Sequence, residues 1–74
     1  GKDYKTLLQE YVQRDGDKHI VYHLLSESGP DHAKTFHMEV EINGVTYEAG
    51  SGKSKKIAEQ HAAQLTLEKL MADK

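Results

Sequence analysis

The chain has 74 residues, ten lysine or arginine residues, a formal net charge of −2 and no cysteine. A chain of this length forms one small domain that buries only about 60% of the surface of its unfolded form, which excludes an active site built between two lobes. Disulfides and thiolate metal sites are excluded, no apolar run approaches the roughly 20 residues that span a membrane, and no signal-like segment opens the chain, so a soluble cytoplasmic protein is expected.

A helix and a strand are predicted for the first part of the chain. Apolar residues recur at the spacing of one buried helical face, which predicts a helix capped by Asp3 and ending near Arg14. The residues of this face are Tyr4, Leu7, Leu8, Tyr11 and Val12. The polar segment 14–18 is typical of a loop, and the segment HIVYHLLSES predicts a first strand that stops at the turn residues 29–31.

A β-hairpin is predicted next. Residues 34–42, KTFHMEVEI, alternate strictly between apolar and polar side chains, with Phe36, Met38, Val40 and Ile42 on one side and His37, Glu39 and Glu41 on the other. Asn43 and Gly44 then form a two-residue connection to a third strand, VTYEA, because both positions tolerate a positive φ. The second and third strands are therefore expected to pair.

A second helix is predicted from Ser54 to Met71. Its apolar stripe carries small residues where a helix must approach a sheet closely, and consists of Ala58, Ala62, Ala63, Leu67 and Leu70. Ile57 and Leu65 fall outside this stripe, and their surroundings are left open. With no repeat or second domain, residues 1–74 predict a single α+β domain of order α-β-β-β-α, in which both helices pack on one face of a three-stranded antiparallel sheet.

The first helix presents polar groups opposite its apolar stripe. They are Thr6, Gln9, Glu10 and Gln13. Amides, a hydroxyl and a carboxylate can donate hydrogen bonds to, and accept them from, sugar hydroxyls and base edges. An ordinary solvated face is the alternative interpretation.

Two further polar surfaces follow along the chain. The turn SGPDHAK presents Pro30, Asp31 and His32, which on their own indicate only a stiff turn. The head of the second helix carries Lys53, Ser54, Lys55 and Lys56, so three of the ten basic residues of this slightly acidic chain form one patch. Cations here oppose the helix dipole, whereas a bound phosphate would turn that penalty into binding energy. A solvated charge run is the alternative.

The letters GKS in this patch do not form a nucleotide-binding phosphate loop. That loop requires a glycine five positions before the glycine of its Gly-Lys-Ser, and Tyr47 occupies the position. The histidines give no metal site either, because His19 and His23 are four residues apart in a predicted strand, where this spacing does not bring both to one helical face.

Four segments in this order resemble the double-stranded RNA-binding domain, and more narrowly the C-terminal one of bacterial ribonuclease III: DYKTLLQEYVQ, SESGPDH, FHMEVEING and GSGKSKKIAEQHAA. The resemblance implies the same α-β-β-β-α fold. It implies that the polar face of the first helix enters one RNA minor groove and the turn with Pro30 the next. The lysine patch would contact phosphates of the intervening major groove, so that the domain spans about 16 base pairs.

The resemblance also sets expectations about activity and partners. The acidic catalytic helix of ribonuclease III is absent, so the chain is expected to be a non-catalytic unit without a cofactor, whereas the family's catalytic domain uses Mg²⁺ and the parent enzyme is a cytoplasmic homodimer that processes ribosomal RNA. The expected partner is double-stranded RNA, not a membrane, and the domain alone is expected to be monomeric. Glu59 stands where many family members carry a third lysine, which weakens the expected grip on phosphate. A protein-interaction or dimerisation module of the same fold is the alternative function, favoured by the acidic net charge and Leu65.

Overall fold

The computed structural model describes residues 1–74 and has the element order α-β-β-β-α. The elements are α1 (Tyr4–Gln13), β1 (Ile20–Ser28), β2 (Thr35–Ile42), β3 (Val45–Gly52) and α2 (Lys55–Ala72). The strands form one antiparallel sheet with β2 in the middle, and α2 packs against β2 and β3. The predicted fold class is confirmed.

The hairpin between β2 and β3 follows the predicted pattern. Met38, Val40 and Ile42 alternate along β2 and are buried, so that this face of the strand forms the floor of the core. The connection uses positive φ angles of 48° at Asn43 and 82° at Gly44, as a two-residue turn between twisted strands requires.

The end of β3 was predicted wrongly. The sequence pattern stopped the strand at Ala49, but residues 50–52 continue it and pair with residues 36–38 of β2. Glycine is a poor strand former, which conceals the strand at this point. The glycine at position 50 is needed because α2 lies against the strand: a Cβ atom there would stand 2.3 Å from the backbone nitrogen of Ala62.

The buried face of α2 is the predicted alanine-rich stripe, with one addition. Ala58, Ala62 and Ala63 are fully buried, and Thr66 is buried beside them. Its hydroxyl oxygen accepts a hydrogen bond of 3.2 Å from the backbone N–H of Glu48, so the polar atom of this buried side chain has a hydrogen-bond partner. The two residues left open differ: Ile57 is 54% exposed, and Leu65 is half-buried.

Helix α1 rests chiefly on α2 and much less on the sheet. Leu8 and Val12 are its buried residues, and Asp3 caps its first turn by accepting a hydrogen bond of 3.1 Å from the Thr6 N–H. Leu7, expected on the buried face, is 36% exposed. At 100° per residue it lies about 120° around the helix from the midpoint between Leu8 and Val12, at the border of the apolar stripe.

Candidate nucleic-acid interface

A groove of about 630 Å³ opens between the polar face of α1, the start of β1 and the first turns of α2. Thr6, Gln9 and Glu10 line it from α1, and Lys56 lines it from α2. The structure therefore brings three of the four polar residues predicted on α1 together with one lysine of the predicted patch. The combination offers a hydroxyl, an amide, a carboxylate and an ammonium group to a ligand in the groove.

Gln13, the fourth predicted residue of the α1 face, does not line this groove. Its Nε2 donates a hydrogen bond of 2.8 Å to the backbone carbonyl of Lys18, and its Oε1 accepts one of 3.0 Å from the backbone N–H of the same residue. Both ends of the amide thus hold the loop that follows α1. The structure gives Gln13 a role in shaping the loop between α1 and β1.

Other residues line the groove that sequence reasoning did not select: Asp3, Lys5, Ile20, Tyr22 and Gln60. Gln60 carried a usable signal, because it follows Lys56 by four residues and so lies on the same face of α2. Tyr22 and Ile20 gave no such signal, since their alternation in β1 is that of residues facing the core.

The amide of Gln60 joins the two helices at the head of the groove. Its Oε1 accepts a hydrogen bond of 2.7 Å from the backbone N–H of Tyr4, and its Nε2 donates one of 2.9 Å to Oδ1 of Asp3. The pKa of Asp3 falls to about 2, mainly because Gln60 donates to the carboxylate and further because the N–H and hydroxyl of Thr6 do so. The first turn of α1 is thereby fixed to α2.

Glu59 makes a second connection between the helices. Its Oε1 lies 2.5 Å from Nζ of Lys5, and both side chains are partly exposed. The sequence suggested that Glu59 weakens the phosphate grip of the neighbouring lysines. In the structure the carboxylate is paired with a cation of α1, so part of its charge is offset where it stands.

Tyr22 forms the floor of the groove. Its hydroxyl is buried and has no hydrogen-bond partner, while Nζ of Lys5 lies 4.7 Å from the ring centroid. Burial raises the pKa of Tyr22 from 10.0 to about 12, and the negative charges of Glu59 and Asp3 add to the effect. The neutral phenol is therefore the form that the native state favours.

Replacing Tyr22 with phenylalanine is expected to leave the free energy of unfolding unchanged or slightly higher at neutral pH, because the hydroxyl that is removed has no partner. The wild type should lose stability relative to the variant as pH rises from 10.0 towards 12, since only the unfolded phenol ionises in this interval. Urea unfolding of both proteins across this range measures the difference. A constant difference would contradict the raised pKa.

The turn between β1 and β2 presents Pro30, Asp31 and His32 to solvent, away from the groove beside α1. The turn is held by a hydrogen bond of 2.9 Å from the N–H of Ala33 to the carbonyl of Pro30. At its far end, Nζ of Lys34 lies 3.0 Å from Oε1 of Glu27, which joins the residue just before β2 to β1. The three predicted residues thus lie in an exposed turn that is stabilised by a hydrogen bond and an ion pair.

The lysine patch starts one residue before the N-cap of α2 and continues into the first turn of the helix. Lys53 precedes the helix, and Ser54 is the N-cap, whose Oγ accepts a hydrogen bond of 3.1 Å from the N–H of Ile57. Lys55 and Lys56 are the first two residues of α2 and are exposed. Since the cap satisfies only one of the free N–H groups, the helix start keeps its positive end.

The lysine patch reaches towards both other predicted surfaces. Lys56 lines the groove beside α1. On the other side, Nζ of Lys53 lies 3.4 Å from Oγ1 of Thr35, and Nζ of Lys55 lies 5.9 Å from the ring centroid of Phe36. Thr35 pairs with Ser28 where the β1–β2 turn begins and ends, so the patch lies between that turn and the groove.

Two other kinds of site are not seen in this chain. No group of three or more His, Asp or Glu side chains is arranged to hold a metal ion. None of its helices is both long and apolar enough to cross a membrane.

Comparisons with known proteins show which family the chain belongs to. A family model described as the double-stranded RNA binding motif matches residues 4–70. The chain is 57% identical over 68 residues to a protein named Ribonuclease 3 from Streptococcus mutans serotype c, covering 92% of this chain and 29% of that protein. The Ribonuclease 3 of Streptococcus pyogenes serotype M3 is 52% identical over 69 residues, covering 93% and 30%. The chain thus spans about 30% of the length of these relatives.

Solved structures of dsRBDs have the same fold. The second dsRBD of DRB4 superimposes with a TM-score of 0.63 and 37% identity, over 92% of this chain and 94% of that one. A structure of both DRB4 dsRBDs with their linker gives a TM-score of 0.62 and 35% identity, over 93% and 44% of the two chains. With a family model matching nearly every residue and relatives this similar in sequence and in fold, the chain belongs to the double-stranded RNA-binding motif family.

Proposed function

We propose that this chain binds double-stranded RNA by recognising its A-form shape, with little dependence on base sequence. The observation that carries the proposal is the position of the lysine patch between the α1 groove and the β1–β2 turn. Lys56 shares the groove with Gln9, and Lys53 contacts Thr35 beside the turn. Three polar surfaces that are far apart in sequence therefore follow one another across the molecule.

The physical basis is the geometry of the RNA duplex. Its major groove is too deep and narrow to be read, whereas its shallow minor groove displays 2′-hydroxyl groups, and a rigid protein can test for this spacing over about 16 base pairs. Thr6, Gln9 and Glu10 suit one minor groove because the Gln9 amide can donate hydrogen bonds and the oxygens of all three side chains can accept them. Pro30, Asp31 and His32 suit the next. Gln13 is left out of this contact set because its amide is bound to the following loop.

The lysine patch suits the phosphates between the two minor grooves. Lys55 and Lys56 stand at the positive end of α2, where a phosphate oxygen would accept hydrogen bonds from free N–H groups and meet two ammonium groups. Lys53 and the hydroxyl proton of Ser54 extend the same surface towards the turn. An anion here relieves the repulsion between the lysines and the helix dipole.

We further propose that the chain is the substrate-binding unit of a ribonuclease III, because the curated relatives carry that name. Cleavage of double-stranded RNA, with Mg²⁺ as the metal, would then take place in another part of the polypeptide, in a cytoplasmic homodimer that processes ribosomal RNA. The domain alone would be a monomer.

A mobility-shift titration tests the binding proposal directly. The wild type should retard an RNA duplex of about 20 base pairs, which exceeds the span of roughly 16, and should retard the DNA duplex of the same sequence much less. Two unrelated RNA sequences should bind with similar affinity. No RNA shift at low salt would overturn the proposal and favour a protein-interaction module with this fold.

Replacing Gln9 and Glu10 with alanine is expected to reduce the preference for RNA over DNA about fivefold, because these side chains would read the 2′-hydroxyls. The dependence of affinity on salt should stay the same, since no phosphate contact is lost. Fluorescence anisotropy with both duplexes at several salt concentrations measures both effects. Gln64→Ala is the matched control, and full discrimination by the double variant would refute the minor-groove assignment.

A further inference from the structure

We propose that Gln60, supported by Glu59, is a positioning residue that fixes α1 at a set distance from the lysine patch, so that the minor-groove and phosphate contacts are made together. The inference rests on the proposed function and adds to it a role for residues that touch no RNA in that proposal. It reverses the sequence-based view of Glu59 as a residue that only weakens the phosphate grip of the lysine patch.

The need for such a residue follows from how α1 is attached. The helix rests chiefly on α2, and its ten residues make a short helix whose first N–H groups have no partner within the helix. Its buried anchors, Leu8 and Val12, lie in the middle and at the far end. In the first turn, which carries Thr6, only the partly buried Tyr4 packs against the core, so a further tie limits fraying there.

Gln60 supplies that tie with both ends of its amide. It accepts from the Tyr4 N–H at 2.7 Å and donates to Asp3 at 2.9 Å, so it bonds one free N–H of α1 and also the residue that caps the helix. Asp3 at the same time accepts hydrogen bonds from both the N–H and the hydroxyl of Thr6. A continuous chain of hydrogen bonds therefore runs from α2 to a side chain of the groove.

The second tie lies one residue earlier on α2. Oε1 of Glu59 lies 2.5 Å from Nζ of Lys5, the residue that precedes Thr6 in α1. Gln60 lies one helical turn after Lys56, so the residues that hold α1 and the residue proposed to hold phosphate stand on the same rigid stretch of helix. The distance between the two contacts is set by α2 itself.

A fixed distance matters because two linked contacts strengthen each other only when both can be made at once. A long duplex offers the successive grooves and gains from the fixed spacing. A stem-loop of about five base pairs, a third of the usual span, offers one groove and cannot gain from it. Loss of a direct contact, or a general loss of stability, would lower both affinities alike. A fall in the ratio of duplex affinity to stem-loop affinity therefore indicates that positioning has been lost.

The test compares Gln60→Ala with Gln64→Ala, the same change one turn further along α2, where the side chain bonds Glu68 and not α1. NMR titrations at low salt are made with an RNA duplex of about 20 base pairs and with the stem-loop. Gln60→Ala should lower the affinity for the duplex about fivefold and leave that for the stem-loop within about twofold, whereas Gln64→Ala should change neither. Circular dichroism establishes that each variant is folded at the temperature used.

Gln60→Glu provides a second test. It keeps an oxygen that can accept from the Tyr4 N–H, but it sets a second carboxylate against Oδ1 of Asp3, so it should lower the ratio of duplex affinity to stem-loop affinity as Gln60→Ala does. Equal losses for both RNAs in Gln60→Ala, or an unchanged ratio in folded Gln60→Glu, would overturn the inference, whereas a wild type that binds neither RNA would overturn the proposed function.

Discussion

Replacing Lys55 and Lys56 together with alanine is expected to weaken binding to every double-stranded RNA on the order of 40-fold at about 0.1 M salt. Each phosphate contact contributes a slope of roughly 0.7 to 0.9 in the logarithm of affinity against that of salt concentration, so two lost contacts should lower the slope by about 1.6. The free energy of unfolding should not fall. Alanine favours helix, and removing two cations from the positive end of α2 stabilises it.

This opposite response of affinity and stability makes the experiment decisive. Anisotropy titrations at several salt concentrations give the slope, and urea unfolding gives the stability. Lys69→Ala is the control: this lysine lies in the last turn of α2, 3.7 Å from Asp73, where a cation suits the dipole. It should lose a little stability and no RNA affinity, and an unchanged slope in the double variant would remove the phosphate role from the patch.

Replacing Gly50 with alanine is expected to destabilise the fold by about 3 kcal/mol, which lowers the melting temperature of a domain of this size by roughly 12 to 24 °C. The added Cβ would lie 2.3 Å from the nitrogen of Ala62 and 2.7 Å from the carbonyl carbon of His61. Both are backbone atoms, so no change of side-chain rotamer relieves the overlap. The helix must move away from β3, and the alanine-rich face of α2 loses its contact with the sheet.

Gly16→Ala is the comparison for this experiment. An added Cβ at Gly16 meets no atom within 4 Å, but its φ of 105° strains any other residue. It should cost about 1 kcal/mol through backbone strain alone. Thermal unfolding of both variants separates overlap from strain, and a Gly50 variant no less stable than the Gly16 variant would show that α2 does not need the close approach.

The fold could be predicted from sequence because its elements have strong local patterns. The alternation ending at Ile42, the turn at Asn43 and the capped, alanine-rich α2 each depend on residues near one another in the chain. The pattern failed at Gly50, where the reason for the residue is a helix that follows later in the chain. It failed again at Leu7, because the width of the buried stripe on α1 depends on how much of that helix its neighbour covers.

The candidate interface was predictable to a smaller extent for the same reason. Surface residues such as Gln9 and Lys56 could be selected from helical faces and local charge. The bonds that join Gln60 to Tyr4 and Glu59 to Lys5 connect residues more than 50 positions apart, and no periodicity reports them. Gln13 had the spacing of a surface residue, yet its amide is bound to a loop whose shape the sequence did not reveal.

The attachment of α1 to α2 also has a consequence for how the chain folds. Neighbouring strands are consecutive in sequence, and β3 is followed directly by the helix that covers it, so this part can assemble through short loop closures. Helix α1, by contrast, contacts Gln60, which is separated from it in sequence by all three strands. We therefore expect α1 to dock last during folding and to detach first during unfolding. An RNA duplex that contacts α1 would stabilise its docked position and so favour the fully folded state.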